Sequence, residues 1–349
     1  MYTREIQAPQ GSPIENGTPV QGTWSRAFDE VDLLEIRRPY SWPLPRWLRD
    51  CRIKEWEYFA IQDERFFMEA LLGNVKLYRI VQIFLYDREN GEKFVFRKLM
   101  PGSGWRLPRS LANASVDSRS SRFFVRVHTW LNADTIKLDI HIAATSRYPA
   151  FTAHLAYGMA RSNVTPVAVS LNFTERRNMY AFKALAPVRG DITLEGRHIS
   201  FDPKRCSGIF CDYKGFYPYR MEGVFCGAMG FDGEGRRYGF HIAENQTREA
   251  RKNNENALWL NGRLIPLPQV WITMPGGAES DWIIQDVEGM VDLVFSPSVQ
   301  NKWGASLLLT SAGLDTHLGQ FNGMLASADG EQIQVCGLWG MGERLKLRV

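Results

Sequence analysis

Spacing excludes more than composition does. The 349-residue chain has five cysteines, Cys51, Cys206, Cys211, Cys226 and Cys336, with no CxxC pair among them. Zinc-ribbon and thioredoxin-type chemistry therefore have no basis in spacing. No run of 18 apolar residues occurs, and the start, MYTREIQAPQ, has no apolar stretch of the signal-peptide kind. We expect a cytoplasmic chain with reduced thiols and no membrane span; the sequons at Asn163 and Asn172 carry no weight without a secretory route. A GxxxxGK loop, a strand-linked GxGxxG, HExxH and GxSxG are all missing, so nucleotide binding, zinc proteolysis and serine hydrolysis lack a motif and no cofactor is implied. The histidines, His128, His141, His154, His198, His241 and His317, are too dispersed for their spacing to mark a metal site. One-sided charge is lacking as well: 42 Lys and Arg stand against 38 Asp and Glu, a net of +4, with acids interspersed throughout. No nucleic-acid partner is expected from that balance. The densest basic stretch, RRPYSWPLPRWLRDCRIK (37–54), interleaves its cations with Trp42 and Trp47. It suits either phosphate binding with base stacking or a solvated segment whose aromatics anchor it to a barrel.

Long 3.6-residue periods are scarce too. SLANASVDS (110–118) and ENQTREARKNNENA (244–257) are the only short-helix candidates, and each also reads as a loop. What is present is period-two alternation, in FFVRVHTW, TIKLDIHIAA, MYAFKAL and GMVDLVFS, rich in β-branched and aromatic residues. Asn90-Gly91, Asn261-Gly262 and Asp329-Gly330 punctuate it as type I′ hairpin turns, and LEGRHISF and FDGEGRRYGF add looser glycine turns. The fold class is all-β, and the length exceeds one ordinary domain. FFMEALLGN (66–74) and YRMEGVFCG (219–227) share Met-Glu, a small residue and two apolar ones, about one eight-stranded barrel apart. We therefore divide the chain into a flexible, Pro/Gly-rich segment 1–25, a first barrel 26–200 and a second barrel 201–349.

RIKEWEYFAI (52–61) with the following FFMEALLGN, then GFYPYRMEGVFCGAMGFDGEGRRYGFHIAEN (215–245) running on to NNENALWLNGRLIPLP, and finally HLGQFNGMLASADGEQIQVCGLWGMGE (317–343) resemble, in order, a bacterial family known only as domain of unknown function 2804. That family is similar at fold level to tandem-lipocalin proteins, among them carotenoid hydratases and barrels that fold polyketide chains in pericyclic reactions. The resemblance implies two consecutive antiparallel lipocalin-like barrels or half-barrels with a pocket inside or between them. It implies no settled activity.

Charged residues inside apolar strands are the chemical signal. Glu69 shares its face with Phe67 and Leu71 and needs either a cation, such as Arg79 or Arg97, or a proton. Arg220 and Glu222 precede Val224 and Cys226 on one face, as a solvated ion pair or as the anchor and acid of a pocket mouth. Asn254, Glu255 and Asn256 cap turns, or they converge with Glu244, Asn245 and His241 into a polar clamp for an oxygen-bearing ligand. Lys137, Asp139 and His141 form the wet side of a wall or, if inward, an acid–base pair. Eleven tryptophans, Trp282 among them, offer walls for an apolar guest and for a cation in a reaction.

The function expected is a cofactor-independent enzyme binding a mainly apolar small molecule of lipid, terpenoid or polyketide type. Glu222 or Glu69 would be the acid for hydration, isomerisation or cyclisation and Arg220 its anchor, with His241, Asn245, Glu255, Asn256, Asp139, His141 and Trp282 holding the substrate. The alternatives are a non-catalytic lipid or pigment carrier, and a carbohydrate-active enzyme with paired carboxylates and stacked tryptophans.

Overall fold

Antiparallel strands joined by turns and loops build more than half of the chain. The structure, a computed structural model, describes residues 2–102, 104–307 and 310–348. Among these residues thirteen strands form one antiparallel sheet, nine form a second, and Ile14–Glu15 with Thr18–Pro19 make a separate ribbon. Both sheets curl strongly into half-barrels.

The chain passes from the first sheet to the second at residues 216–219, between Ser207–Gly215 and Arg220–Phe231. The expected division at 200/201 thus falls inside the first sheet. Register is the reason: Ser207–Gly215 pairs along its full length with both Asn178–Leu194 and Lys54–Gln62.

Asn178–Leu194 turns the first half-barrel's corner. Its first part pairs with Ser207–Gly215 and Val167–Asn172, its second with Phe151–Gly158 and Arg197–Phe201. At the bend Gly190 has φ +133°, and a Cβ there would lie 1.9 Å from the His154 carbonyl oxygen. Only glycine allows the two strands to approach this closely.

Each half-barrel encloses its own core. Phe59, Ile83, Phe96, Val125 and Phe210 pack inside the first, and Phe240, Trp282, Phe295 and Phe321 inside the second. The opposite faces meet in a third, common core, where Tyr58, Phe67 and Phe84 of the first half pack with Met221, Met229, Trp259 and Met341 of the second. Polar ties cross the same seam: Gln62 Nε2 donates to the carbonyls of Met229 (2.6 Å) and Trp339 (3.0 Å), and Trp259 Nε1 to that of Thr165 (2.9 Å).

Local chemistry departs from expectation in four places. Ala114–Ser120, read as a short helix or a loop, is a strand paired with Phe123–Trp130, while 245–256 takes the loop reading, with Asn245 and Asn254 bonding nearby backbone. The one α-helix among the described residues, Arg46–Arg52, starts directly after Pro45 in the basic stretch. Asn261-Gly262 has both residues at positive φ, as does Glu195-Gly196, a tighter turn than expected, whereas Asn90-Gly91 and Asp329-Gly330 have positive φ at glycine alone. The N-terminal segment expected to be flexible is tied down: Ile14 joins the first core, and the buried Arg4 guanidinium donates to the Asn254 and Asn256 carbonyls at 2.8 and 2.9 Å.

Gly190→Ala is expected to lower the unfolding free energy by about 2–4 kcal/mol. Gly196→Ala, at φ +80° with nothing within 4 Å, should cost only about 1 kcal/mol. Denaturant titration of both variants checks the difference, and equal losses would remove the steric account of the corner.

Candidate active site between the half-barrels

A cavity of about 70 Å³ lies in the seam. Its wall is mostly aromatic and aliphatic: Trp56, Tyr58 and Tyr78 from the first half, Phe225, Trp303 and Met341 from the second. A water needs about 10–15 Å³ on this measure, so the space admits a few waters or a slender chain. A drug-sized guest needs several hundred Å³ and would have to displace flexible lining such as Met341 and Leu345.

Besides the phenols of Tyr58, Tyr78 and Tyr213, three polar residues reach the cavity wall: Glu343, His241 and Glu55. Glu343 belongs to strand Gln332–Arg348, where it follows Trp339 and Met341 on one face and precedes Leu345 and Leu347. Its carboxylate accepts from Thr316 Oγ1 at 2.9 Å. Burial pushes its pKa up to about 7, against the lowering pull of that hydrogen bond. Behind it stands Glu69, fully buried. Arg97 Nε donates to Gln82 Oε1 (2.8 Å), and Gln82 Nε2 donates to Glu69 Oε1 (3.2 Å). Glu69 Oε2 is buried with no donor among the described residues. Burial, with the Glu343 charge added, pushes the Glu69 carboxyl up to about 8. The two acids interact electrostatically, so their protons leave in steps that belong to the pair, Glu343 first and Glu69 still protonated near neutrality.

The second polar group lies beside Phe225, whose ring is 6.1 Å from that of His241. Lys183 Nζ, fully buried, pairs with Glu255 Oε2 at 2.6 Å and lies 2.8 Å from His241 Nδ1. Tyr213 Oη donates to Glu255 Oε2 (2.8 Å) and Asn245 Nδ2 to Oε1 (2.6 Å). An ammonium only donates, so His241 Nδ1 accepts and Nε2 carries the ring proton. Burial first, and the Lys183 charge second, hold His241 neutral by pushing its pKa well down. A neutral imidazole N–H on an apolar wall is a donor for a ligand oxygen. Glu55, by contrast, is occupied: Oε1 takes Lys76 (3.3 Å), Asn74 (3.2 Å) and the Leu107 N–H (3.2 Å).

The sequence-selected residues separate cleanly. Glu69, His241, Asn245 and Glu255 come together at the seam, whereas Asn256 ties backbone within the second half, through the Ala243 N–H (2.8 Å) and the Pro268 carbonyl (2.8 Å). Arg220 and Glu222 do not reach the seam: both are exposed, and Glu222, 68% exposed, pairs with Lys346 at 3.4 Å. The expected acid and anchor are a solvated rim, because they take the face opposite Met221 and stand before Val224 and Cys226, where that face reaches the second half-barrel's core. Asp139 and His141 lie on the wet side of their strand, with Asp139 bonded to His154 Nδ1 (2.9 Å) instead. Trp282 is buried in the second half-barrel's own core against Phe295 and His317, away from the cavity. Glu343, Lys183 and Tyr213 were missed. For Glu343 and Lys183 the available signal was a single charge flanked on both sides by apolar residues of the same face.

A second acid pair occupies the first half-barrel's own core. Glu57 and Asp212 face each other across neighbouring strands. Both Glu57 oxygens and Asp212 Oδ1 lack a donor among the described residues, while Lys214 holds Asp212 Oδ2 at 2.8 Å. Burial, then the Asp212 charge, raises the Glu57 pKa well above the carboxylic range.

Two expectations follow. Carboxyls whose pKa is higher folded than unfolded bind protons more tightly in the native state, so stability falls as pH rises between the two values. For Glu69 and Glu343 the fall runs from near the ordinary carboxyl value to about 8. The thermal midpoint should drop over that range, and Glu69→Gln should flatten the drop; an unchanged slope would show that these acids do not set it. Lys183→Met leaves Glu255 buried and unpaired, with an expected loss of about 3–5 kcal/mol, read by denaturant titration; Lys183→Met with Glu255→Gln should recover most of it.

The family described as "Domain of unknown function (DUF2804)" matches residues 3–348. No curated protein sequence matches the chain. Among solved structures it is similar to CghA crystallised with Sch210972, at TM-score 0.55 and 10% identity over 85% of this chain and 88% of that one. A second CghA structure gives TM-score 0.52 at 10% identity, with the same coverage. Kievitone hydratase from Nectria haematococca gives 0.49 at 13% identity over 84% and 88%. At these identities the CghA likeness establishes a shared fold.

Proposed function

The chain belongs to the DUF2804 family, and we propose that it is an enzyme that encloses a mainly apolar small molecule in the seam and promotes hydration, isomerisation or cyclisation by proton donation from Glu343. The observation that carries this reading is a buried carboxyl on an apolar cavity wall with its pKa pushed up to about 7. A carboxylic acid poised near neutral pH is suited to general acid catalysis.

In the hydration case, Glu343 gives its proton to one carbon of a double bond and the faces of Trp56, Tyr58 and Trp303 stabilise the cation formed on the other. Water adds to that carbon and returns a proton to the Glu343 carboxylate, which restores the acid. His241 Nε2–H holds a ligand oxygen during the step. Glu69, pushed higher, stays neutral beside it, and it is Glu343's own burial that holds the Glu343 proton.

The carbohydrate reading has less support. It needs two carboxylates flanking an open cleft, whereas this wall is mostly apolar and Glu55, the other carboxylate on it, is held by Lys76, Asn74 and a backbone N–H.

Ligands co-purifying with the full-length protein, identified by native mass spectrometry, supply the substrate for the test. Glu343→Gln should cut turnover by about 10²–10⁴-fold with ligand retention within a few-fold, and Glu222→Gln should leave both unchanged. Full turnover in Glu343→Gln would remove the assigned acid. A retained ligand that the unsubstituted protein never transforms would make the chain a carrier.

A further inference from the structure

The basic, Trp-bearing stretch has no part in the seam chemistry, yet it is the most unusual surface of the molecule. Trp42 and Trp47 are 65% and 66% exposed, far beyond the other tryptophans. Segments 35–52, 174–177 and 248–252 meet around a notch lined by Tyr40, Trp42, Arg176, Arg177 and Arg248. The Arg248 N–H donates to the Asn172 carbonyl at 2.7 Å, which fixes the third segment beside the second. Together the three segments expose seven cations, Arg37, Arg38, Arg46 and Arg176 among them, against three acids, Glu35, Glu175 and Glu249. Counting every side chain, buried or not, the three segments hold ten cations and four acids, a net of +6 against +4 for the entire chain. The rest of the molecule is therefore slightly acidic, at −2, and the positive field is local.

We propose that this face docks on the surface of an anionic lipid bilayer, with Trp42 and Trp47 entering the headgroup region and the arginines pairing with lipid phosphates. Tryptophan is favoured at a membrane–water interface because its ring is apolar and its N–H polar, and arginines on the same face add attraction to anionic lipid. A nucleic-acid strand fits less well, since it needs a groove that follows its backbone and the aromatics here flank a single notch. The face also connects to the cavity. Phe173, next to Thr174 of the notch, packs on Tyr217 (5.4 Å), and Tyr217 stacks on Trp56 (5.1 Å) of the cavity wall. Docking places that aromatic series beside a reservoir of apolar molecules, a consequence that rests on the proposed function, whereas docking itself does not.

Flotation of the full-length protein with vesicles tests the docking independently of turnover. Vesicles of phosphatidylcholine with about 30 mol % phosphatidylglycerol should carry it up at low salt and release it at about 0.5 M salt. Pure phosphatidylcholine should hold it at least tenfold less. Replacing both Arg176 and Arg248 with Gln should weaken binding by roughly 25-fold, about fivefold for each cation removed. Brominated lipids should quench tryptophan emission, and the quenching should vanish when Trp42 and Trp47 are both replaced by Phe. Equal binding to neutral vesicles, no binding, or capture by single-stranded oligonucleotides without vesicle binding would each overturn the proposal; the salt and lipid arms need no variant.

Discussion

A sheet has two faces, and curling it around a core covers only one. Both halves of this chain curl around their own cores, so each is left with an apolar outer face at Lys54–Gln62 and Phe66–Asn74 in one half and Arg220–Phe231 and Gln332–Arg348 in the other. Exposed, those faces would be a large apolar patch on each half. Packed together they form the common core, and the site exists because this second closure is imperfect: bulky rings from Trp56, Tyr58 and Trp303 meet across it without filling it. Polar groups caught in the closure lose water, and each must find a partner inside the protein or change its charge.

The seam answers that demand in two ways. Around Lys183 the account is complete. The ammonium has Glu255, the Glu255 carbonyl and His241, and the carboxylate has the ammonium, Tyr213 and Asn245. Around Glu69 a donor is missing. The directed series from Arg97 through Gln82 ends at Oε1, and Oε2 has no donor among the described residues. An ionised Glu69 would leave that oxygen charged and without a donor, so the unpartnered oxygen and the raised pKa both favour the neutral acid. Glu57 and Asp212 repeat the logic where no cavity wall includes either of them. Raised pKa values thus mark both buried acid pairs, and what distinguishes the Glu69–Glu343 pair is that one member faces space a guest can enter.

Much of the architecture was legible in the chain. Alternation over MYAFKAL and GMVDLVFS and turns such as Asn261-Gly262 specify strands and hairpins locally, because side-chain period and positive φ are local properties. The switch between half-barrels was not, since Ser207–Gly215 is placed by long-range register with Lys54–Gln62, some 150 residues earlier. The N-terminal segment was misread for a similar reason. Its polar composition describes a chain without a core of its own, and what orders it is Arg4 reaching carbonyls at Asn254 and Asn256.

The site was legible where a charge is enclosed by its own strand. Glu69 lies between Phe67 and Leu71 on one face, Lys183 between Ala181 and Leu185, and Glu343 between Met341 and Leu345, and all three are buried. Glu222 has Val224 on one side but Arg220 on the other, and it is exposed. The difference is physical. Side chains two apart on a strand share an environment, so apolar neighbours on both sides favour burial of a charge, whereas a charged neighbour permits either outcome: Arg220 and Glu222 stay in water, while Asp212 and Lys214 are both buried. The repeat that aligned Glu69 with Glu222 compared identities without that test. Even their Met partners diverge, Met68 packing inside the first half-barrel and Met221 in the seam. Sequence position along a strand says which face a residue takes; whether that face is dry depends on its neighbours two residues away, and by that criterion Glu343, not Glu222, is the acid that belongs with Glu69.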